Sequence, residues 1–462
     1  MISTGPRKQL YVGFKVHTSI NRLILIVAFA SLPGEALAGP FEEGLAAVKR
    51  QDYASALRLW RPLASADDVA AQFGLGMLYE EGRGVPKDYQ QAVFWYRKSA
   101  DHGYDGAQFN LGVMYEAGRG VTKDDQQAAF WYRKAAEQGR AAAQSNLGLL
   151  YDSGQGVPRD YPQAVAWYRK AAEQGNSLAQ LNLGVMFANG RGVPKDDKAA
   201  ISWYRKAAEQ GQITAQFNVG VMYANGQGVP QDDQAAISWY RKAAEQGHAG
   251  AQFNLGAMYA SGQGVPRDDK TAISWYRKAA EQGDAGAQSN LGVFYANGQS
   301  LPRDYSQAVH WYRKAAEQGN AISQFNLGIV NAEGLGVPKN EQEAVYWYSK
   351  AADQGYSPAA FNLGVMFVNG HGVAKDDQQA LLWFRKAADA GMARAQFNLS
   401  GMYSKGLGTP KDYQKAYFWA LLASAGGDAE AVRSRHLFEQ LITDEQRAVA
   451  QAEVRRWKPQ QQ

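Results

Sequence analysis

The stretch from 107 to 142 reads AQFNLGVMYEAGRGVTKDDQQAAFWYRKAAEQGRAA, and its pattern returns along most of the chain in steps of 36 residues. A tryptophan marks every step. These tryptophans are Trp95, Trp131, Trp167, Trp203, Trp239, Trp275, Trp311, Trp347, Trp383 and Trp419. A fixed period of this length is typical of a repeat array, in which each copy contacts mainly its neighbours. One copied unit therefore accounts for most of the 462 residues.

The first half of each copy is predicted to be a helix. In the quoted stretch Leu111, Met114 and Tyr115 have the spacing of one helix face between about 107 and 117. Gly118 then suits the left-handed conformation in which many helices end. The Gly-Arg-Gly sequence from Gly118 onward predicts a turn.

The second half of each copy is predicted to be another helix. It opens at Asp124, whose carboxylate can accept from the free amides of the first turn, and Asp or Asn holds this position in all ten copies. It ends at Gly139, which is also a glycine in every copy. Two antiparallel helices joined by a short turn are therefore the predicted repeat unit.

Small and large side chains are expected to pair where the helices pack. Gly112 allows close approach, while Trp131 and Tyr132 fill the wider gaps. We expect the tryptophan column to form the core, with each ring burying about 200 Å². Replacing a central member such as Trp239 by alanine is then expected to cost about 3–5 kcal/mol.

The columns A-x-x-x-L-G-x-x-Y, G-x-G-V-P-x-D and A-x-x-W-Y-x-K-A-A with a closing glycine, as from 215 to 247, resemble the Sel-one-like repeat family of the tetratricopeptide superfamily. The resemblance covers ten copies, 71–106 through 395–430. It implies an all-α fold, a right-handed α-solenoid of about ten 36-residue antiparallel helix pairs with capping helices at both ends. It also implies an adaptor role in protein complexes, often in bacterial envelopes. One branch of the family is cysteine-rich and has been linked to β-lactam binding. This chain has no cysteine, so it departs from that branch.

The two ends differ from the repeats. Residues 39–70 are predicted to be an N-terminal cap or incomplete copy, with Asp52 and Trp60 at cap and core positions. Residues 71–430 form the ten copies, and 431–462 are C-terminal capping helices and tail. There, Thr443-x-x-Gln446 predicts a capping box that opens a last helix through Trp457. Leu421 and Leu422 are expected to lie beneath these helices; the alternative is an exposed patch for a partner.

The segment 1–38 has the pattern of a secretory signal. A basic segment to Arg22 precedes a largely apolar run of ten residues, Leu23 to Leu32, and Ala36-Leu37-Ala38 is a typical cleavage site. Cleavage near Ala38 predicts an exported protein, periplasmic or secreted; an uncleaved membrane anchor is the alternative. Ten apolar residues are short for an anchor, and no integral membrane segment is predicted in the mature chain.

The charge balance argues against nucleic acid as a partner. The formal net charge is +5, from 49 basic and 44 acidic residues. The segment 1–38 holds four of the basic residues and one of the acidic residues, so the mature chain is close to neutral. Phosphate binding would need a basic stripe, whereas here every copy carries both signs.

No motif indicates catalysis, a cofactor or a metal. The histidines within the array fall at different phases of the period, and no zinc, nucleotide, calcium or nucleophile motif occurs. The turn at Gly82-Arg83-Gly84 is interpreted as a helix connection because it recurs in almost every copy. Its middle residue changes from Arg83 at one end to Leu407 at the other, so we expect an edge that changes from basic to apolar.

An asparagine column is the candidate partner-binding site. Asparagine is a mediocre helix former, so its recurrence in mid-helix needs a cause. By analogy with tetratricopeptide proteins it would line a concave groove and bind an extended peptide, with Phe217 and Phe253 among the variable selecting positions. The alternative is that each amide bonds a neighbouring copy; the glutamine column that includes Gln108 and Gln216 is equally ambiguous. The column comprises Asn110, Asn146, Asn182, Asn218, Asn254, Asn290, Asn326, Asn362 and Asn398.

The sequence therefore favours a non-enzymatic scaffold or adaptor of the bacterial cell envelope that binds a protein or peptide partner along the groove. A second hypothesis is a structural component of an envelope polysaccharide or secretion machine. A third, a hydrolase acting on the cell wall or on β-lactams, would require a catalytic cluster that the sequence does not show. The oligomeric state and the partner are left open.

Overall fold

The computed structural model describes residues 39–298, 300–425 and 429–459, and the predicted signal, 1–38, lies outside them. Helices and short turns make up these residues, and no strand occurs among them. The chain divides into two compact units. We call the described residues from 39 to 246 the N-terminal unit and those from 247 to 459 the C-terminal unit. Each is an all-α solenoid of stacked helix pairs.

The N-terminal unit contains twelve helices. They are α1 Pro40–Lys49, α2 Tyr53–Ser65, α3 Val69–Glu81, α4 Tyr89–Asp101, α5 Asp105–Ala117, α6 Asp125–Glu137, α7 Ala141–Ser153, α8 Tyr161–Glu173, α9 Ser177–Asn189, α10 Asp197–Glu209, α11 Ile213–Asn225 and α12 Asp233–Glu245. From α3 onward an odd-numbered helix is the first helix of a copy and the following even-numbered helix is the second.

The described part of the C-terminal unit also contains twelve helices. They are α13 Ala249–Ser261, α14 Asp269–Glu281, α15 Ala285–Asn297, α16 Tyr305–Glu317, α17 Ala321–Glu333, α18 Glu341–Asp353, α19 Ser357–Asn369, α20 Asp377–Asp389, α21 Ala393–Lys405, α22 Tyr413–Ala425, α23 Ala429–Glu439 and α24 Asp444–Arg456. In both units, each helix packs against the one before and the one after it within that unit, except that the last helix, α24, packs against α22.

The predicted helix boundaries are confirmed, and side-chain caps explain them. Asp124 Oδ1 accepts from the amides of Gln126 and Gln127 at 2.9 and 3.0 Å, which satisfies donors that the helix leaves free. Gly118, with φ of 66°, ends the preceding helix in the left-handed conformation. The Asp or Asn at this position caps the second helix in all ten copies: Asp88, Asp124, Asp160, Asp196, Asp232, Asp268, Asp304, Asn340, Asp376 and Asp412.

The second glycine of the turn positions one copy against the next. Gly120 has φ of 69°, and a Cβ there would lie 2.9 Å from the amide nitrogen of Gln90 in the preceding copy. Glycine is needed for both reasons. Ser300 occupies this position in one copy at φ of 62°, and its hydroxyl donates to Asp269 Oδ2 at 3.0 Å.

Tyrosine, and not tryptophan, forms the centre of each helix pair. Tyr132 is fully buried, and a Cβ on Gly112 would lie 2.6 Å from its ring. The prediction of a tryptophan core is wrong for seven of the ten members of the column, which are only half-buried; Trp131, Trp347 and Trp419 are the buried ones. Trp203 shows why: its ring lies at the surface beneath Lys206, whose Nζ is 4.1 Å from the ring centroid.

The helix pair α1–α2 ends the N-terminal unit, and Trp60 is its central residue. Trp60 lies one repeat period before Tyr96, so it belongs to the tyrosine column. Its indole nitrogen donates to the carbonyl of Phe41 at 3.1 Å, and the side chain is fully buried. A Cβ on Gly74 would lie 2.7 Å from this ring, which explains why Gly74 replaces the asparagine of later copies.

The helices α23 and α24 end the C-terminal unit. The predicted capping box is confirmed. The backbone N–H of Gln446 donates to Thr443 Oγ1 at 3.2 Å, and the backbone N–H of Thr443 donates to Gln446 Oε1 at 3.0 Å. Leu422 is buried and Leu421 half-buried, as expected for side chains covered by the terminal helices. The apolar side chains that remain exposed here belong to the cap itself, with Leu437 at 56% and Leu441 at 48%.

Candidate binding surfaces

The glutamine column joins three successive helices. Gln144 Nε2 donates to the carbonyl of Ala136 at 3.1 Å, near the end of the preceding helix, and its Oε1 accepts from Gln174 Nε2 at 2.7 Å. Gln180 repeats both contacts, with Ala172 at 3.0 Å and Gln210 at 2.8 Å. The column is buried, so these bonds are shielded from water. The structure therefore assigns the glutamines to repeat geometry and leaves them no role in partner contact.

In one copy, both glutamines of this hydrogen-bonded pair are replaced together. Ala360 stands where a glutamine would donate, and Ala390 stands at the matching place in the next helix, where its glutamine partner would be. Because both members are alanine, neither side leaves a buried polar group without a partner. This matching supports the structural role of the ladder.

The asparagine column divides according to burial. Asn218 and Asn254 are 0% exposed, Asn290 is 1% and Asn146 is 9%. The other members, Asn110, Asn182, Asn326, Asn362 and Asn398, are half-buried. A fully buried amide cannot contact a partner, so the prediction of partner binding is corrected at Asn146, Asn218, Asn254 and Asn290.

Phe217 and Phe253 require the same correction. Their exposed fractions are 1% and 2%, because each ring packs against a tyrosine of its own copy. The ring centroids of Phe217 and Tyr240 are 5.7 Å apart, as are those of Phe253 and Tyr276. These phenylalanines stabilise the helix pair and are not available to select a ligand.

Many of the asparagine amides approach the hydroxyl of the core tyrosine in the preceding copy. Burial raises the pKa of Tyr204, and hydrogen bonding from Asn218 acts in the opposite direction. Burial also raises the pKa of Tyr348, to about 12, against the same effect from Asn362. An amide held this way sets the spacing between copies, which is the alternative that the sequence left open.

Two half-buried asparagines lack this tyrosine contact. Phe384 stands where the core tyrosine would face Asn398, and phenylalanine has no hydroxyl. Asn326 follows Tyr312, yet its Nδ2 has no hydrogen-bond partner among the described residues. The structure describes no side-chain hydrogen bond for Asn398 either. The Nδ2 atom of Asn326 is itself buried, so of these two residues only the half-buried Asn398 keeps an amide that is available to a partner.

The middle residue of the Gly-x-Gly turn contacts the first residue of the second helix in the preceding pair. The guanidinium of Arg83 lies 5.3 Å from the ring centroid of Tyr53, which begins the second helix of the preceding pair. Arg191 covers Tyr161 in the same way at 6.0 Å. In the N-terminal unit, where that helix begins with aspartate, as at Asp197, the corresponding turn residue is glutamine, at Gln227. In the C-terminal unit this match fails, because Leu335 corresponds to Tyr305 and Leu407 to Asp377. Contacts between copies therefore account for the basic and neutral turn residues of the N-terminal unit and not for the apolar ones.

The described residues contain no group of three or more potential metal ligands that could hold an ion together. None of the described helices has the length and apolar composition needed to cross a membrane.

Paired helices in 36-residue steps, fixed by glycine–tyrosine packing and a glutamine ladder, define a helical-repeat solenoid. The chain belongs to the Sel1 repeat family. Eleven segments match the Sel1 repeat: 36–68, 69–104, 106–139, 141–176, 177–212, 213–248, 249–284, 285–320, 321–356, 357–392 and 393–428. The first of these segments coincides with the predicted N-terminal cap or incomplete copy, and the other ten correspond to the ten predicted copies.

Two of the solved structures that are similar to this chain are repeat proteins of this kind. One is a protective antigen present in uropathogenic Escherichia coli strains that displays an SLR fold, with 39% identity, a TM-score of 0.83, and coverage of 90% of this chain and 91% of that one. The other is a Sel1 repeat protein from Oxalobacter formigenes, with 34% identity, a TM-score of 0.54, and coverage of 74% and 99%. No curated protein matches the chain.

Sel1 repeat proteins generally mediate protein–protein interaction, and their fold is typically non-enzymatic. A solenoid suits this role because its successive copies present similar side chains along an extended surface.

Proposed function

We propose that this protein is an exported, non-enzymatic scaffold of the bacterial cell envelope that binds an extended segment of a partner protein. The observation that carries the proposal is the array itself, eleven copies of a repeat whose family mediates protein interaction. Weak contacts repeated along such a surface add up through multivalency.

Two further observations support the envelope location. The segment 1–38 has a basic stretch, an apolar run and a small-residue cleavage pattern. The similar Escherichia coli protein is a protective antigen, and an antigen that protects must be reached by the immune system. An exported product explains both.

The partner-binding surface of the C-terminal unit is centred on Asn398. This residue is half-buried and follows the half-buried Phe397. An asparagine amide can both donate to and accept from the backbone of an extended peptide. The adjoining ring provides apolar contact, so the pair can hold a peptide without reading much of its sequence.

The test is a crosslinking capture from envelope extract with the mature chain. We compare the wild type with a variant carrying Asn398→Ala. A control variant carries Asn369→Ala, which lies at the exposed end of a first helix. We expect a specific partner to be captured by wild type and control, and lost from the first variant. Equal capture by all three proteins would contradict the assigned surface.

Export is tested separately, by expressing the complete chain with its leader in a bacterium and sequencing the N-terminus of the product recovered from the periplasm. We expect the product to begin near Gly39. A product that remains cytoplasmic with its leader intact would contradict the envelope location.

A structural component of an envelope machine is the second candidate. The burial of Asn218, Asn254 and Asn290 favours it, since copies that offer no amides to a ligand still pack against their neighbours within each unit. Under this alternative, the capture experiment would retrieve partners that the change at Asn398 does not remove.

A further inference from the structure

The first helix of the last copy, α21, has a row of residues that no other first helix of the C-terminal unit repeats. The row comprises Arg394, Asn398, Gly401 and Lys405. Spacings of four, three and four residues place these positions on one face of a helix. The same row in α19 is uncharged and has a side chain in place of the glycine: Pro358, Asn362, Val365 and Asn369. The last copy therefore differs from the preceding one at three of the four positions on this face.

Gly401 leaves a side-chain position open on this face. The equivalent residue has a side chain in all nine preceding copies, and it is valine in five of them. A Cβ at Gly401 would meet no neighbouring atom of the described residues within 4 Å, whereas a Cβ at Gly112 would lie 2.6 Å from the Tyr132 ring. Packing within the chain therefore requires Gly112 but does not require Gly401. Since glycine also weakens a helix, helix stability does not explain this residue.

The cations at the two ends of the row have no partner in the part of the chain that the structure describes. Arg394 and Lys405 are exposed, and neither forms an ion pair or a hydrogen bond with a described residue. The exposed Arg385 of the preceding helix, by contrast, is paired, because its Nε lies 3.0 Å from Asp389 Oδ2. The positive charge on this face of α21 is therefore not compensated by any described residue.

Asn398 lies between the two cations, and its amide is available because Phe384 offers it no hydroxyl. Arginine, lysine and the NH₂ group of asparagine are all hydrogen-bond donors, so the row presents donors along its length. The half-buried Phe397 adds an apolar ring one turn before the open position. A ligand that fits this face must supply negative charge, hydrogen-bond acceptors and an apolar side chain.

We propose that this face of α21 binds an extended acidic segment of the partner protein, with one apolar side chain in the space at Gly401. A helix rises about 1.5 Å per residue, so Arg394 lies about 10 Å and Lys405 about 6 Å from Gly401 along the axis. An extended chain rises about 3.3 Å per residue, so acidic residues three positions to one side of the apolar residue and two positions to the other match these distances. The Asn398 amide binds the backbone of the segment between the two acids.

This inference rests on the proposed function and specifies the chemistry of the partner. It is tested by fluorescence anisotropy with the mature chain and a labelled peptide that contains Glu-Ser-Ser-Leu-Ser-Glu between neutral residues. One probe control has lysine in place of both glutamates, and another has serine in place of the leucine. We expect the first peptide to bind, with an affinity that falls as ionic strength rises, and the lysine peptide not to bind. The peptide without leucine should bind about tenfold more weakly than the first.

The role of the charges is tested by combining Arg394→Gln with Lys405→Gln, which removes two cations that have no ion pair among the described residues. The matched control combines Arg313→Gln with Lys375→Gln and removes two exposed cations from elsewhere in the same unit. We expect the first variant to bind the acidic peptide about tenfold more weakly or worse, and the control to stay within about twofold of wild type.

The role of the open space is tested with Gly401→Val, which places at this position the side chain that α19 has at Val365. The variant should fold, because a Cβ at Gly401 meets no described neighbour. We expect it to bind the leucine peptide about as weakly as the serine peptide and to leave binding of the serine peptide unchanged. Circular dichroism melts confirm that each variant is folded.

Equal weakening by the charge variant and its control would overturn the proposal. A preference for leucine that survives Gly401→Val, or absence of acidic-peptide binding to the wild type, would also overturn it. The scaffold function is judged separately in the envelope capture. If Asn398→Ala loses the partner while the charge variant retains it, this inference fails and the scaffold function stands; if both variants retain the partner, the assigned surface is wrong.

Discussion

A regular copy, 105–140, and the last copy, which begins at 393, solve the same packing problem differently. In the regular copy Gly112 leaves room for the ring of Tyr132. In the last copy Ser400 replaces the glycine and Ala420 replaces the tyrosine, and the Ser400 hydroxyl donates to the Ala416 carbonyl at 2.7 Å. Both members of the contact changed together. The array is therefore specified by contact pairs between helices and not by single columns.

The largest expected effect comes from removing a core tyrosine. Tyr204 is 0% exposed, whereas its neighbour Trp203 is half-buried. We expect Tyr204→Ala to cost about 3–5 kcal/mol and Trp203→Ala clearly less, because the exposed part of the indole loses no burial. Urea unfolding of the two variants measures the difference. A larger loss for the tryptophan would restore the tryptophan core that the sequence suggested.

Copying the last-copy pair into the regular copy gives a double-mutant cycle. Gly112→Ser alone should cost about 1–3 kcal/mol, since its Cβ meets the Tyr132 ring. Combined with Tyr132→Ala it should cost much less than the sum of the single changes, because the ring that it displaces is gone. Additive losses in the melts would mean that the two positions do not form a pair.

Breaking the glutamine ladder should have a similar or smaller effect. Gln144→Ala removes two hydrogen bonds, each worth about 0.5–1.5 kcal/mol, while the Ala136 carbonyl still accepts from the Gly139 amide and Gln174 Nε2 still donates to the Lys170 carbonyl. Adding Gln174→Ala should cost little more, because this imitates the natural pair Ala360 and Ala390. Amide hydrogen exchange at the end of α6 measures the local loss of stability. If adding Gln174→Ala lowered the stability again by the same amount, this result would contradict the pairing.

The smallest effect concerns pH and the cap of α13. His248 Nδ1 accepts from the Ala251 amide at 3.1 Å, and burial lowers the pKa of this histidine to about 4. The folded state therefore favours the neutral ring. The contribution of the neutral His248 ring to the free energy of unfolding is complete above the unfolded pKa of about 6.5 and is lost as pH falls toward 4. About 1–2 kcal/mol of it is lost near pH 5.

The control for this prediction is His248→Asn, because Asn176 and Asn320 cap the equivalent helices in other copies. Thermal melts from pH 7 to pH 4 should show a steeper decline for wild type than for this variant. Parallel declines would mean that His248 does not titrate in this range.

The helices, turns and caps were predictable from sequence because their signals are local. Asp124 and Gly118 act within one turn of their own helix, and their residue types alone indicate those roles. The choice between Trp131 and Tyr132 was not predictable in this way. Adjacent residues on a helix differ by about 100° in direction, and the period cannot show which one meets Gly112.

The candidate site was predictable only in part, for a related reason. Spacing placed the asparagines in one column, but their availability depends on a residue in the preceding helix. A tyrosine there takes up the amide, as Tyr348 does for Asn362, and Phe384 cannot do so for Asn398.

We infer that contacts with the core tyrosines occupy some amides of the asparagine column, such as Asn218, and leave others, such as Asn398, for a partner. This inference is tested most directly by comparing Asn218→Ala with Asn398→Ala in unfolding and in envelope capture. We expect Asn218→Ala to lower the free energy of unfolding while the folded protein still captures the partner, and Asn398→Ala to keep the stability but weaken capture. If Asn218→Ala instead leaves stability intact and abolishes capture, the buried amides bind the partner and the assignment of the column is wrong.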